Sequence, residues 1–350
     1  MPTRTVSVID ELLAQYAPEL QRAFFEAVSS ITDNVRMSAF EAAIAAGDIE
    51  AALRVIGLDL LAFEPVRVTL IQAFQAAGMH AAAALPVVRA LSGANVVVRF
   101  NVRNPSAERL IEEQAGALIT EIVADQRETI KLTLQESLAS GTGPRTAALD
   151  VVGRISAQTG RREGGTIGLT SAQSRYVANA KAELLSGDYE NYFDRALRDK
   201  RFDPVVRAAI REGRPLSMAE VSKIGARYSD RMLKYRGEVI ARTEMLAALH
   251  KGAHAAMEQA IASGAVREQD VVKVWRTAAD ARVRDSHVAL NGQKKAFNEL
   301  FISPLTGARM AYPHDSTHGA RGADTIQCRC RAEYVTNFFA AIVERERLTA

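Results

Sequence analysis

The sequence predicts a mainly α protein with elongated helical N-terminal and middle regions and a small α+β domain at its C-terminal end. Three observations carry that expectation. Ala- and Leu-rich runs at helical spacing fill the first half, two capping boxes mark helix starts in the middle, and residues 271–276 alternate in the manner of a strand. At 350 residues, 48% of them apolar, the chain can bury two or three cores.

Residues 6–92 read as several short helices, with breaks at Gly47-Asp48, Gly57, Pro65, Gly78 and Pro86. Asn95–Val102 gathers β-branched residues into an extended segment that ends at Asn104-Pro105. Beyond Pro105, Leu118, Ile122, Ile130, Leu134 and Leu138 recur in steps of four or eight and form one slowly drifting helical stripe for a core or a subunit interface. Ser140–Pro144 stops that helix, and Gly160–Gly165 predicts an exposed loop or hinge. Thr170 with Gln173, and Ser217 with Glu220, are capping boxes that start helices near 171 and 218. The second helix reaches about 262, with a break near Gly237 and an acid-before-base pair at Glu238 and Arg242. Leu197–Asp203 mixes both charge signs ahead of Pro204, as a solvated helix end does, with a partner-binding or phosphate-binding patch as the alternative. Four segments follow: 1–92 helical, 93–165 an extended piece with a long helix and loop, 166–262 capped helices, and 263–350 the α+β domain.

Composition narrows the function. The formal charge of +3 is the small difference between 44 basic and 41 acidic residues, too weak to argue nucleic-acid binding from net charge. Asp10 and Glu11 interrupt the amino terminus before an apolar run of signal-peptide length, and no apolar run approaches the roughly 18 residues of a membrane span. Two cysteines spaced Cys-x-Cys make no disulfide framework and fit synthesis in a reducing cytoplasm. Nucleophile elbow, phosphate loop and dinucleotide fingerprint are missing; Gly141–Pro144 lacks the Lys-Ser/Thr of a Walker loop.

The densest constellation lies downstream. Val271–Arg276 reads as a strand with one buried face, anchored by Trp275, the single tryptophan. The run Thr277–His287 puts charges at helical spacing, which predicts a short helix capped by Thr277, Asp280 meeting Arg284, and Arg284 meeting His287 or its backbone. Asn291-Gly292 supplies a reversal, and Cys328-Arg329-Cys330-Arg331 closes the region. The ordered string Trp275, Asp280, Arg282, Arg284, Asp285, Ser286, His287, Asn291, Gly292, Cys328 and Cys330 resembles the C-terminal domain of phage Mu F-like minor head proteins. The run Arg198–Asp203 and Ile240–Glu244, with Arg242 and Glu244, extend the resemblance over roughly 165–335.

That resemblance implies a structural minor head protein of a tailed phage or prophage, found in the virion head and, during assembly, in the host cytoplasm. Its partners would be the portal, scaffold or major capsid protein, with genomic DNA as a further partner and no membrane. Members of the family pair the histidine with Cys-x-Cys and have been suspected of binding metal. Here His287, His314, His318, Cys328 and Cys330 nominally fill a zinc shell. On a strand, however, the two sulfurs would stand about 7 Å apart, against an edge of roughly 3.7 Å in a tetrahedral site. The preferred expectation is therefore no cofactor: inward, apolar cysteines, with Arg329 and Arg331 facing solvent or a carboxylate. His250 and His254, four apart, lack the Glu of a zinc-protease motif and read as exposed. The alternative is a metal-dependent hydrolase or nuclease centred on His287, Cys328, Cys330 and His314, with Asp280, Asp285 or Glu244 as acid or base.

Overall fold

The structure, a computed structural model, describes residues 7–85, 88–89 and 95–336. The amino-terminal leader reading, the break at Pro86 and residues 337–350 of the last segment lie outside the described residues. In chain order the elements are α1 (Val8–Asp33), α2 (Met37–Ala45), α3 (Ile49–Ile56), α4 (Glu64–Ala83), β1 (Val88–Arg89), β2 (Asn95–Val96), α5 (Pro105–Ala139), α6 (Pro144–Val152), β3 (Arg154–Ile155) and β4 (Arg162–Glu163). They continue with α7 (Ser171–Ser186), α8 (Tyr189–Asp194), α9 (Asp203–Glu212), α10 (Met218–Ala262), β5 (Val271–Arg276), α11 (Asp285–Val288), β6 (Lys294–Ala296), β7 (Phe301–Ile302), β8 (Arg309–Met310), α12 (Gly322–Thr325) and β9 (Arg331–Thr336). The protein is mainly α with a small antiparallel part near its C-terminal end, as the patterning requires. No helix among the described residues is long and apolar enough to cross a membrane.

Two compact units emerge, and they cut across the four consecutive segments drawn from the sequence. Unit 1 gathers Met1–Gln21, Val66–Gly116 and Val239–Ala350; unit 2 gathers Arg22–Pro65 and Ala117–Glu238.

In unit 2 the stripe of α5 is core: Leu118, Ile122, Ile130 and Leu134 are buried, while Leu138 emerges at 39% exposure where the helix ends. Both capping boxes form. Thr170 Oγ1 accepts from Gln173 N (3.2 Å) and the Gln173 side chain accepts from Thr170 N (3.1 Å), and Ser217 and Glu220 repeat the exchange. The expected exposed loop at Gly160–Gly165 is only half right. Its tip is exposed, but Gly164 is buried, donating to Asp230 Oδ1 (2.7 Å), and Gly165 O accepts from Ser229 Oγ (2.6 Å). The missing side chain is the reason: a Cβ on Gly164 would collide with Ala226 of α10. Nor does α10 break at Gly237; it runs 45 residues without interruption. One glycine costs a helix only about 1 kcal/mol, which the packing of its neighbours overrides. Glu238 faces Lys234 (4.0 Å), one turn earlier than the expected partner Arg242.

In unit 1, Gly78 does not break α4. It makes room for the Phe100 ring, which occupies the space a Cβ would take. Gly252 of α10 likewise lies directly on the Phe74 carbonyl of α4. The extended segment at 95–102 is a strand only at Asn95–Val96, paired with Val88–Arg89. The principal sheet is antiparallel with order β6-β5-β9, and its register sets Lys273 opposite both Lys295 and Tyr334, and Trp275 opposite Ala332. The central strand β5 is covered on both faces, so its alternation hides a buried lysine. Lys273 Nζ donates to the carbonyls of Glu299 (2.6 Å) and Ala311 (3.0 Å) between the Phe297 and Phe301 rings, and burial pushes its pKa down to about 8.

Candidate metal centre

The site is built on β5, the turn after it, and the turn before β9. Trp275 is fully buried in a cluster with Leu290, Phe301, Met310, Cys328 and Cys330. Asn291 caps the exit from β5, its Oδ1 accepting from Thr277 N (3.0 Å), and Gly292, at φ 80°, turns the chain so that its N–H reaches Trp275 O (2.8 Å). A non-glycine residue would strain that turn.

The helix expected from Thr277 does not form. Ala279 takes φ 55°, and Asp280 Oδ1 accepts from Arg282 N (3.0 Å), a local turn that competes with helix; the helix, α11, begins only at Asp285. Asp280 consequently misses Arg284 and instead receives Arg329 in a two-pronged pair (2.6 and 2.5 Å), which holds its carboxyl well below the usual range. Arg284 donates to Ile326 O, and its own carbonyl accepts from His287 N (2.9 Å). One short turn thereby delivers His287, 1% exposed, edge-on against Trp275 with ring centroids 5.6 Å apart.

The cysteines arrive from the other side. They lie in the turn before β9, after Gln327, whose φ of 59° bends the chain and whose N–H is held by Thr243 Oγ1 of α10 (3.0 Å). Because they are not on a strand, the 7 Å separation argued from sequence does not apply. His287 Nδ1 stands 3.4 Å from Cys328 Sγ and 3.5 Å from Cys330 Sγ, and all three atoms lie within 4.8 Å of one another. Both cysteines are free and buried. Cys330 N donates to Cys328 Sγ (3.4 Å). The Cys328 thiol bonded to the Cys330 sulfur holds Cys330 below the ordinary cysteine range and Cys328, also raised by burial, well above it.

These distances fit zinc. With Zn–N near 2.0 Å and Zn–S near 2.3 Å, the nitrogen–sulfur edge of a tetrahedron is about 3.5 Å, the separation His287 keeps from each sulfur. His287, Cys328 and Cys330 supply three ligands. A small opening of about 10 Å³, lined by Arg282, Val283, Arg284, Gln327 and Arg329 besides the triad itself, would leave room for a single water beside a bound ion. Among the described residues no carboxylate joins the group. Asp280 is committed to Arg329, Asp285 is exposed, and Glu244 accepts from Gln114 Nε2 (3.3 Å). Arg242 is exposed on α10.

His314 does not join the triad. Its Nε2 pairs with Cys328 O (3.1 Å), and its ring stacks on His250 at 5.5 Å, which supports the cysteine turn from behind. His318 pairs with Asp315 (2.6 Å). The expectation that His250 and His254 are exposed is overturned: His250 is 2% exposed, and His254 stacks on Phe297 (4.6 Å) and bonds Tyr334 OH through Nδ1 (2.9 Å). Their face of α10 lies beneath β9 and the loops around it. Lys273, Thr243 and Tyr334 were missed from sequence. Only the charged residue at an inward position of β5 could have signalled the first.

No curated protein and no solved structure matches this chain. Residues 200–333 match the family model described as phage Mu protein F like protein, and that span holds β5, both cysteines and His287. The stretch from Lys200 to Glu333, with the His287–Cys328–Cys330 cluster inside it, is thus similar to phage Mu protein F like proteins.

Proposed function

We propose that this protein is a structural minor head protein of a tailed phage or prophage, that it joins the assembling procapsid near the portal vertex, and that a zinc ion held by His287, Cys328 and Cys330 fastens its C-terminal domain. The match over residues 200–333 carries the reading. The site supports it, because all three candidate ligands are buried and their opening admits no more than a water. Zinc in this setting ties the turn after β5 to the turn before β9, a cross-link in a region short of long elements. The partners are the portal, scaffold or major capsid protein, met through helical faces rather than by turnover.

The test is capture from a lysate containing assembling particles, using full-length protein and folded His287→Gln and Cys328→Ser variants. Co-purification of the wild type with procapsids and portal is expected. Absence of the polypeptide from both immature and mature particles ends the proposal. The rival reading, a metal-dependent hydrolase or nuclease, draws on one observation: three ligands leave a coordination position for water. It requires zinc-dependent cleavage of a phosphodiester or peptide that His287→Gln abolishes.

A further inference from the structure

Charge is unevenly distributed along this chain. Residues 195–236 carry twelve Lys and Arg against five Asp and Glu, a balance of +7, so the rest of the chain stands at −4 although the whole is +3. Folding gathers much of that excess on one face of unit 2. Asp199, 2% exposed, receives Arg201 (2.6 Å) and Arg231 (3.6 Å). Asp203, also buried, receives Arg198 (3.1 Å) and Arg207 (3.7 Å). Arg231 further donates to the Arg198 carbonyl (3.3 Å), which joins the two clusters. Arg198 and Arg207 lie over the Phe193 ring, and Lys223 over Phe202.

The acids are inside, and every cation of the cluster except Arg198 reaches the surface. Side chains of Arg201, Arg207 and Arg231 are 76, 59 and 46% exposed, whereas those of both aspartates are under 10%. Five cations, Arg198 among them only 15% exposed, against two buried carboxylates leave the cluster at a net +3. A bare run of charges is most often a solvated face. This cluster differs because its guanidiniums are already ordered by buried carboxylates and aromatic rings, so less side-chain freedom is lost when an anion docks.

We infer that this face of unit 2 binds the phosphate backbone of duplex DNA without reading its sequence. Guanidinium forks meet phosphate oxygens in two-pronged geometry, and Arg/Lys contacts of that kind fix a protein on the backbone without reading sequence. The choice of duplex over an acidic polypeptide rests on the head-assembly proposal, where the packaged genome is the polyanion at hand. The charge surface itself does not.

The experiment is fluorescence anisotropy of full-length protein with a labelled 20-base-pair duplex of mixed sequence between 50 and 300 mM salt, alongside labelled poly-glutamate. The variant is Arg207→Gln with Lys223→Gln. Asp203 keeps Arg198 and Asp199 keeps both of its arginines, so no buried carboxylate is stranded. Each lost phosphate contact should flatten the slope of log affinity against log salt by about 0.9 and weaken binding about eightfold at 0.1 M salt. The pair should lose up to roughly sixtyfold, and Arg207→Lys with Lys223→Arg should retain most of the affinity. Failure to bind the duplex at 50 mM salt, an unchanged slope in the glutamine variant, or tighter binding of poly-glutamate than of duplex each overturns the inference. Because purified protein and bare DNA suffice, this outcome is independent of whether the chain is found in particles.

Discussion

Lowering the pH from 7 to 5 should loosen unit 1, because two imidazoles of α10 are held neutral inside it. Burial pushes the pKa of His250 down to about 4 and that of His254 down to about 3. In an unfolded chain both titrate near 6.5. Below that value the unfolded state takes up protons that the folded state refuses, so the stabilisation is complete above about 6.5 and is lost as the pH falls toward 4 and 3. At pH 5 the loss is about 2 kcal/mol per histidine, or about 4 kcal/mol together, a large part of the roughly 5–15 kcal/mol that holds a domain folded. His250 faces the His314 ring and the Leu246 carbonyl; His254 faces Tyr312, Tyr334, Phe297 and the carboxylate of Glu258 (3.8 Å), with Lys273 and Asp315 acting on it through their charge. Burial raises the Glu258 pKa, which works in the opposite direction and trims the total. Trp275, the single tryptophan and fully buried in unit 1, reports that unit's unfolding by fluorescence in urea. His314 of the same unit, pushed down to about 3 by burial, adds as much again, so the wild type should lose about 6 kcal/mol between pH 7 and 5, and His250→Asn and His254→Asn about two thirds as much each. Equal losses in all three proteins would refute the neutral burial of these side chains.

Three further outcomes are expected. Protein purified without chelator should contain one zinc per chain by elemental analysis, lost in His287→Gln and Cys328→Ser. Free zinc at a hundredfold over its dissociation constant should then stabilise the wild type by about 2.7 kcal/mol; unchanged zinc content in both variants removes the assigned ligands. Gly252→Ala should cost unit 1 about 1–3 kcal/mol, read from the Trp275 urea midpoint, since its methyl group meets the Phe74 backbone. A wild-type midpoint would mean that α4 and α10 part freely. Thr170→Ala should cost about 1 kcal/mol in thermal circular dichroism while Thr170→Ser stays near wild type, because the hydroxyl caps α7.

The two capping boxes were legible because they are local. A hydroxyl and a Glu or Gln three residues apart dictate their own hydrogen bonds, and both boxes form at 170 and 217. Glycines were misread wherever their meaning came from a neighbour distant in sequence: Gly78 serves Phe100, Gly164 serves Ala226, and neither ends a helix. The residues of the His287–Cys328–Cys330 cluster were legible, but their geometry was not. Arguing Cys328 and Cys330 onto a strand separated their sulfurs, whereas the left-handed backbone of Gln327 and the Thr243 hydroxyl set both beside His287. The Asp280 partner was misplaced for the same reason, since spacing along a helix suggests Arg284 and only tertiary structure can offer Arg329. Burial of His254 likewise depends on Tyr334 of β9, some eighty residues downstream, and His250 lies against His314.

The pairing of β9 with the whole of β5 also fixes an order of events during synthesis. Every residue of unit 2 leaves the ribosome before Val239, whereas unit 1 waits for its final strand at Arg331–Thr336. Until then Met257, Val271 and Phe297 lack Tyr334, which packs against their cluster, and the imidazole awaits its thiols. A translation pause or premature stop between residues 290 and 330 therefore leaves a finished unit 2 joined to an adhesive, half-built unit 1, the species that chaperones and proteases would be expected to intercept.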